Sequence, residues 1–137
     1  MWTIGIDIGT TTISAVVMST ETKKAERAYT ITNDSFFETE NAWERVQNPQ
    51  LILEKSVKLL DEILESYPQT DVIGLTGQMH GIVYLDKDGR HVSPLYTWQD
   101  GSGNQSCVGE QTICEYAEEC FGDTGAHRGI GRGDGIR

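Results

Sequence analysis

Apolar residues alternate at the start of the chain, at Trp2, Ile4, Ile6 and Ile8. A period of two predicts a strand with one buried face. A β-branched run over 13–18 predicts a second strand, and the Gly9, Thr10, Thr11 and Thr12 segment between the two predicts a tight hairpin turn. A polar stretch over 19–24 precedes a third strand over 25–33, with Ala28, Tyr29 and Ile31 among polar residues. Three antiparallel strands in a meander are the economical arrangement. Residues 34–47 lack periodicity and read as a loop tied to the core by Phe36, Phe37 and Trp43.

The period then changes. Asn48 as N-cap and Pro49 at the first helical position open a helix that Pro68 ends by about Tyr67. Leu53, Val57, Leu60 and Leu64, widened by Ile52, Leu59 and Ile63, predict its core stripe. An apolar strand over 71–76 follows, and strand, helix, strand predicts a crossover to a parallel neighbour. Shorter strands are expected over 82–85, closed by a turn at 86–89, and over 94–97. A helix is expected over 105–121, with Cys107, Ile113, Ala117 and Phe121 on one side.

Length and composition narrow the picture. At 137 residues the chain suffices for one domain with a core. A net charge of -10 argues against nucleic acid and anionic membranes as partners, though not against a small phosphate at one local site. No apolar run approaches the roughly 18 residues needed to span a bilayer. Met1 leads directly into a strand without a signal-type segment, and the three cysteines, Cys107, Cys114 and Cys120, contain no C-x-x-C. A cytoplasmic chain is expected.

Three places carry candidate chemistry. At the first hairpin Asp7 lies beside Gly9 and three hydroxyls, Thr10, Thr11 and Thr12. Glycine admits close approach of a ligand, and consecutive turn N–H groups form an anion-binding concavity. A carboxylate beside phosphates requires a divalent cation between them, and Mg²⁺ suits such oxygen ligands. Plain turn chemistry explains the same residues equally well. At the end of the 71–76 strand, Gln78 and His80 offer donors and acceptors and Met79 an adaptable apolar wall. At Trp98, Gln99 and Asp100 an aromatic, an amide and a carboxylate reach a glycine turn; these suit a polyhydroxylated ligand, or equally a buried Trp beside an Asp that caps the next helix. Asp86 and Asp88 read as a hairpin turn, because the remaining ligands of a calcium loop are missing.

Together these segments carry a family resemblance. Ile-Gly-Ile-Asp-Ile-Gly-Thr-Thr at 4–11, Thr-Gly-Gln-Met-His-Gly at 76–81 and Thr-Trp-Gln-Asp-Gly at 97–101 resemble the N-terminal half of an FGGY-type carbohydrate kinase. The second and third segments look most like the xylulokinase and sedoheptulokinase branches, and the hairpin alone is shared with the wider actin-like ATPase superfamily. The resemblance implies a ribonuclease-H-like α/β fold, a mixed sheet with flanking helices, present as an incomplete domain. It also implies phosphoryl transfer from ATP to a sugar hydroxyl, with Mg²⁺. Asp7, Gly9, Thr10, Thr11 and Thr12 would face the phosphates, with Asp7 toward Mg²⁺ directly or through water. Gln78, Met79, His80, Trp98, Gln99 and Asp100 would contact the sugar.

Two departures from the family pattern matter. Many members carry Lys or Arg shortly after the Thr pair, where this chain has Ile13 and Ser14. The family's general base lies beyond residue 137, so no residue here takes that role, and the chain is expected to be inactive alone. Exposed surface of a partial domain predicts self-association. Two other readings stay open: a non-catalytic sugar- or protein-binding remnant, and another actin-like ATPase domain. Residues 1–125 form the expected domain. Residues 126–137, with three arginines, one acid and no core periodicity, read as a disordered tail translated out of frame.

Overall fold

The alternating N-terminal run forms β1, Trp2–Ile8, which pairs antiparallel with β2, Thr12–Ser19; β2 pairs in turn with β3, Ala25–Thr32. After the helix α1, Pro49–Ser66, the chain returns as β5, Thr70–Gly77, parallel to β1. The sheet order is β3-β2-β1-β5, the expected meander plus a crossover strand. These elements make up the first of two units, Met1–Ser35 with Gln50–Gln78; the second comprises Phe36–Pro49 and the chain from Met79 onward. The structure is a computed structural model that describes residues 1–121, so the expected tail at 126–137 lies outside the described residues.

The core of the first unit follows from the period of two. Ile4 and Ile6 of β1 and Ile13, Ala15 and Val17 of β2 point to one face and pack against Leu59 and Ile63 of α1. Trp2 closes the end with an edge-on contact to Tyr67, ring centroids 5.1 Å apart. The buried stripe of α1 is Ile52, Ser56, Leu59 and Ile63. This corrects the expected stripe: Leu53 is 57% exposed and Val57 is exposed too. Ser56 takes the buried place by donating its hydroxyl to Ile52 O at 2.8 Å, which satisfies a polar group inside the helix. On the opposite face of the sheet a polar row runs in register, Thr30, Ser14, Asp7, Thr76. The helix covers β1 and β2, while Val72, Ile73 and Leu75 of the edge strand β5 stay exposed.

The second unit departs further from expectation. Residues 34–47 contain a short strand, β4, Val46–Gln47, that the irregular pattern hid. It pairs with β6, Leu95–Tyr96, all that forms of the strand expected over 94–97. Phe36, Phe37 and Trp43 are exposed rather than core. The strand expected over 82–85 reduces to bridges Ile82 to Tyr96 and Leu85 to His91. Between them Asp86 closes the expected turn, accepting the N–H groups of Asp88 and Arg90 on Oδ1, with Gly89 at φ 79°. The 105–121 helix is also corrected. A hairpin of β7, Ser106–Val108, and β8, Gln111–Thr112, occupies its first half, and only α2, Ile113–Phe121, is helical. Cys107 therefore lies on a strand. Gly109 sets the break with φ 61°, and Thr112 with Glu115 closes a capping box, Thr112 Oγ1 accepting the Glu115 N–H at 3.2 Å and Glu115 Oε2 the Thr112 N–H at 2.9 Å.

Candidate functional site

The β1–β2 hairpin places the first group of candidates. Gly9 N–H donates to Thr12 O at 2.9 Å, closing the turn over Thr10 and Thr11. A Cβ on Gly9 would sit 2.9 Å from Thr12 O, so only glycine permits this closure. Asp7 is exposed on the strand leading in, between Ser14 and Thr76 in the two neighbouring strands. Ser14 Oγ and Thr30 Oγ1 share a hydrogen bond at 3.1 Å, continuing the hydroxyl row. Thr11 and Thr12 are exposed.

The end of β5 meets this turn. Gln78 N–H donates to Ile8 O at 3.0 Å, carrying strand pairing one step further. The Thr10 hydroxyl then donates to Gln78 Oε1 at 3.0 Å, across 68 residues of sequence. The acceptor end of the Gln78 amide is thus turned toward the hairpin. Parallel pairing in register brings Gln78 here: Ile8 is opposite Gly77, where a Cβ would stand 3.3 Å from Ile8 O.

A residue that sequence reasoning passed over holds the turn from below. Asn33 is buried just past β3; its backbone N–H donates to Thr11 O at 2.9 Å and its Nδ2 to Gly9 O at 2.8 Å. Buried Ser35 donates its hydroxyl to Asn33 Oδ1 at 2.6 Å. Lys55 of α1 grips either side, donating to Thr32 O at 3.3 Å and pairing with the Asp34 carboxylate at 2.6 Å. That pairing holds the Asp34 carboxyl below its ordinary value. The available signal was the spacing Asn-x-Ser, two short polar residues just after an alternating strand, where side chains bond to nearby backbone.

The remaining candidates belong to the second unit and are described within it. Met79 is 71% exposed and His80 is exposed. His80 has φ 61°, a left-handed conformation that costs a non-glycine residue about 1–2 kcal/mol. Gly81 beside it is crowded, since a Cβ there would stand 3.1 Å from Leu95 Cδ1. Trp98 is 41% exposed and Gln99 is exposed. Both ride on a turn pinned at its ends. Thr97 is buried and donates both its N–H (3.0 Å) and its hydroxyl (2.8 Å) to Arg45 O. Asp100 is 1% exposed, its Oδ2 accepting the Arg45 N–H at 2.8 Å and its Oδ1 the Ser102 N–H at 2.9 Å. Both oxygens are committed to backbone, the second at the first residue of the 3-10 turn Ser102–Asn104. Asp100 thereby shapes the Trp98–Gln99 turn.

The donor set fits Mg²⁺ carried with phosphates. Among the described residues no group of three His, Cys, Asp or Glu side chains gathers into a metal cage. Asp7 offers one hard carboxylate, between Ser14 and Thr76 of the neighbouring strands. Mg²⁺ binds commonly in this way, through one or two carboxylates plus substrate phosphates and water. No helix among the described residues is long and apolar enough to cross a membrane.

Residues 2–120 match the family model "FGGY family of carbohydrate kinases, N-terminal domain". Xylulose kinase of Staphylococcus xylosus is 28% identical over 106 residues, covering 76% of this chain and 21% of that protein. Sedoheptulokinase of Mus musculus is 28% identical over 127 residues, covering 76% of this chain and 27% of that protein. The chain thus spans about a fifth to a quarter of the length of the curated relatives it matches. Among solved structures, the xylulose kinase of Lactobacillus acidophilus superposes with a TM-score of 0.65 at 20% identity, covering 88% of this chain and 23% of that one. That of Rhodospirillum rubrum gives 0.66 at 19% identity, covering 77% and 22%. At these identities the structural likeness establishes the fold, that of actin-like ATPases.

Proposed function

The chain belongs to the FGGY family of carbohydrate kinases, as its N-terminal domain, and on that footing we propose that it forms the phosphate- and sugar-contacting part of an ATP-dependent ketose kinase. The observation that carries this reading is the Thr10 to Gln78 hydrogen bond. It ties a turn with phosphate-binding chemistry to a residue with sugar-binding chemistry inside one unit. Asp7, Gly9, Thr10, Thr11 and Thr12 take the phosphates, with Asp7 toward Mg²⁺, directly or through water. When bound, Mg²⁺ would neutralise charge building on the transferred phosphoryl group. Gln78, Met79, His80, Trp98 and Gln99 contact the sugar, and Asp100 acts with them by fixing the turn that bears Trp98 and Gln99. The work of this chain is positioning and charge stabilisation, the main needs of phosphoryl transfer. The names of the relatives, xylulose kinase and sedoheptulokinase, support a ketose as the sugar. We further propose that residues 1–137 alone bind without turnover, given how small a share of those relatives they span, and that the exposed edge of β5 drives self-association.

The test is an NMR titration of isotope-labelled chain with Mg·ATP and then with xylulose or sedoheptulose. Nucleotide is expected to shift the amides of residues 9–12, and ketose those of Gln78 and His80. Asp7→Asn is expected to weaken the Mg²⁺-dependent response about tenfold or more, the loss of one charged ligand. A ketose that perturbs nothing, or nucleotide binding indifferent to Asp7, would sink the proposal.

A further inference from the structure

We propose that Asn33 is a positioning residue that aims the backbone of the 9–12 turn at the phosphates, with Ser35 and Lys55 holding it in place; this rests on the phosphate role proposed above. The argument is stereochemical. Asn33 takes two alternate carbonyls of the turn, Gly9 O on its side-chain amide and Thr11 O on its backbone N–H. All peptide bonds among the described residues are trans. In a planar trans peptide each C=O points opposite to the N–H of the following residue. With Gly9 O and Thr11 O drawn to Asn33, the N–H groups of Thr10 and Thr12 must point to the other side of the turn. Both N–H groups are then fixed in direction, away from Asn33, as preorganised backbone donors for a phosphate oxygen.

The clamp is over-determined, as an aiming device must be. Asn33 and Ser35 are both nearly fully buried, and every polar group of the Asn33 side chain has a part: Nδ2 donates to Gly9 O and Oδ1 accepts from Ser35. The Gly9 carbonyl, an acceptor only, fixes which end of the amide faces the turn, and Ser35 holds the other end. Lys55 secures the residues on both sides, through Thr32 O and the Asp34 carboxylate. Aspartate at position 33 would have nearly the same shape but no donor, and would set a carboxylate oxygen against the Gly9 carbonyl. Preorganised donors spare the ordering cost on binding, so their loss appears as lost affinity.

The experiment compares wild type, Asn33→Asp, Ser35→Ala and Ser35→Thr in the full chain. Mg·ATP affinity is measured by titration, and the melting temperature is measured separately. Asn33→Asp is expected to weaken Mg·ATP about tenfold and to shift the Thr10 and Thr12 amides of the free protein. Ser35→Ala should fall between, and Ser35→Thr, which keeps the hydroxyl, should restore wild-type affinity. A merely structural Asn33 would lower the melting temperature and leave the affinity of the folded fraction unchanged; that result overturns the proposal. So does wild-type affinity in both Asn33→Asp and Ser35→Ala. If wild type itself fails to bind Mg·ATP, the phosphate reading falls first and this proposal falls with it, which separates the two failures. Should Asn33→Asp not fold, Ser35→Ala decides.

Discussion

The two units are held together differently. In the first, the buried residues are mostly apolar: Ile4, Ile6, Ile13, Ala15, Val17, Leu59 and Ile63 form one cluster between sheet and helix. In the second, Val46 and Cys114 are buried apolar residues, while Gln47, Thr97 and Asp100 are buried and polar. Apolar burial is non-directional and scales with area, so it tolerates small changes of angle. A buried polar group holds only when its partners are placed correctly, and costs free energy when they are not. The first unit can therefore be a rigid platform for the 9–12 turn, and the second a set of loops whose shape depends on a few hydrogen bonds.

The sharpest way to break this contrast is in the apolar cluster. Ile63→Ala removes a side chain with no solvent exposure from between helix and sheet. A loss of about 2–5 kcal/mol in unfolding free energy is expected, read from the urea midpoint. A cost under about 1 kcal/mol would mean the cluster does not carry the first unit. Asp100→Ala probes the other side. It leaves the Arg45 and Ser102 N–H groups without their acceptor, at an expected cost of about 1–3 kcal/mol. Amide exchange should quicken at Arg45 and Ser102 and stay unchanged at Ile4 and Ile6; equal quickening everywhere would erase the distinction between the units. The smallest effect is electrostatic. Lys55 lowers the Asp34 carboxyl from its ordinary value of 3.8. A carboxyl lowered on folding adds stability above its unfolded pKa and loses it as pH falls through the lower folded value. Lys55→Met should flatten that acid-side loss without altering stability's slope near neutral pH. An unchanged acid limb would show that the pair, mostly exposed on the Asp34 side, contributes nothing.

The same contrast explains what could be read in advance. β1, β2 and α1 announced themselves because their burial follows a regular period, β3 and β5 through the apolar residues in their sequence, and the helix had Asn48, Pro49 and Pro68 at its ends. Even there the face of α1 was misjudged by part of a turn. Its apolar residues are too many to choose between: the residues buried are Ile52, Ser56, Leu59 and Ile63, while the expected Leu53 and Val57 stay exposed. In the second unit the pattern failed. β4 and β6 are two residues each and pair across almost fifty positions, so no local period could form. The 105–121 segment looked helical from its apolar spacing, yet Gly109 and the Thr112–Glu115 capping box marked a later start that was present in the letters.

The candidate site divides along the same line. The sequence by itself determined the turn chemistry at Asp7 and residues 9–12, the motif segments at 76–81 and 97–101, and through them the family. These rest on residue identity and short spacing, which the chain carries locally. Only the tertiary structure decided that Thr10 bonds Gln78, that both oxygens of Asp100 are spent on backbone, and that Asn33 holds the 9–12 turn. Each of these is a directional bond between residues from 24 to 68 positions apart, save the one from Asp100 to Ser102. Strand register and crossover create such bonds, and neither quantity is written in any single stretch of the chain.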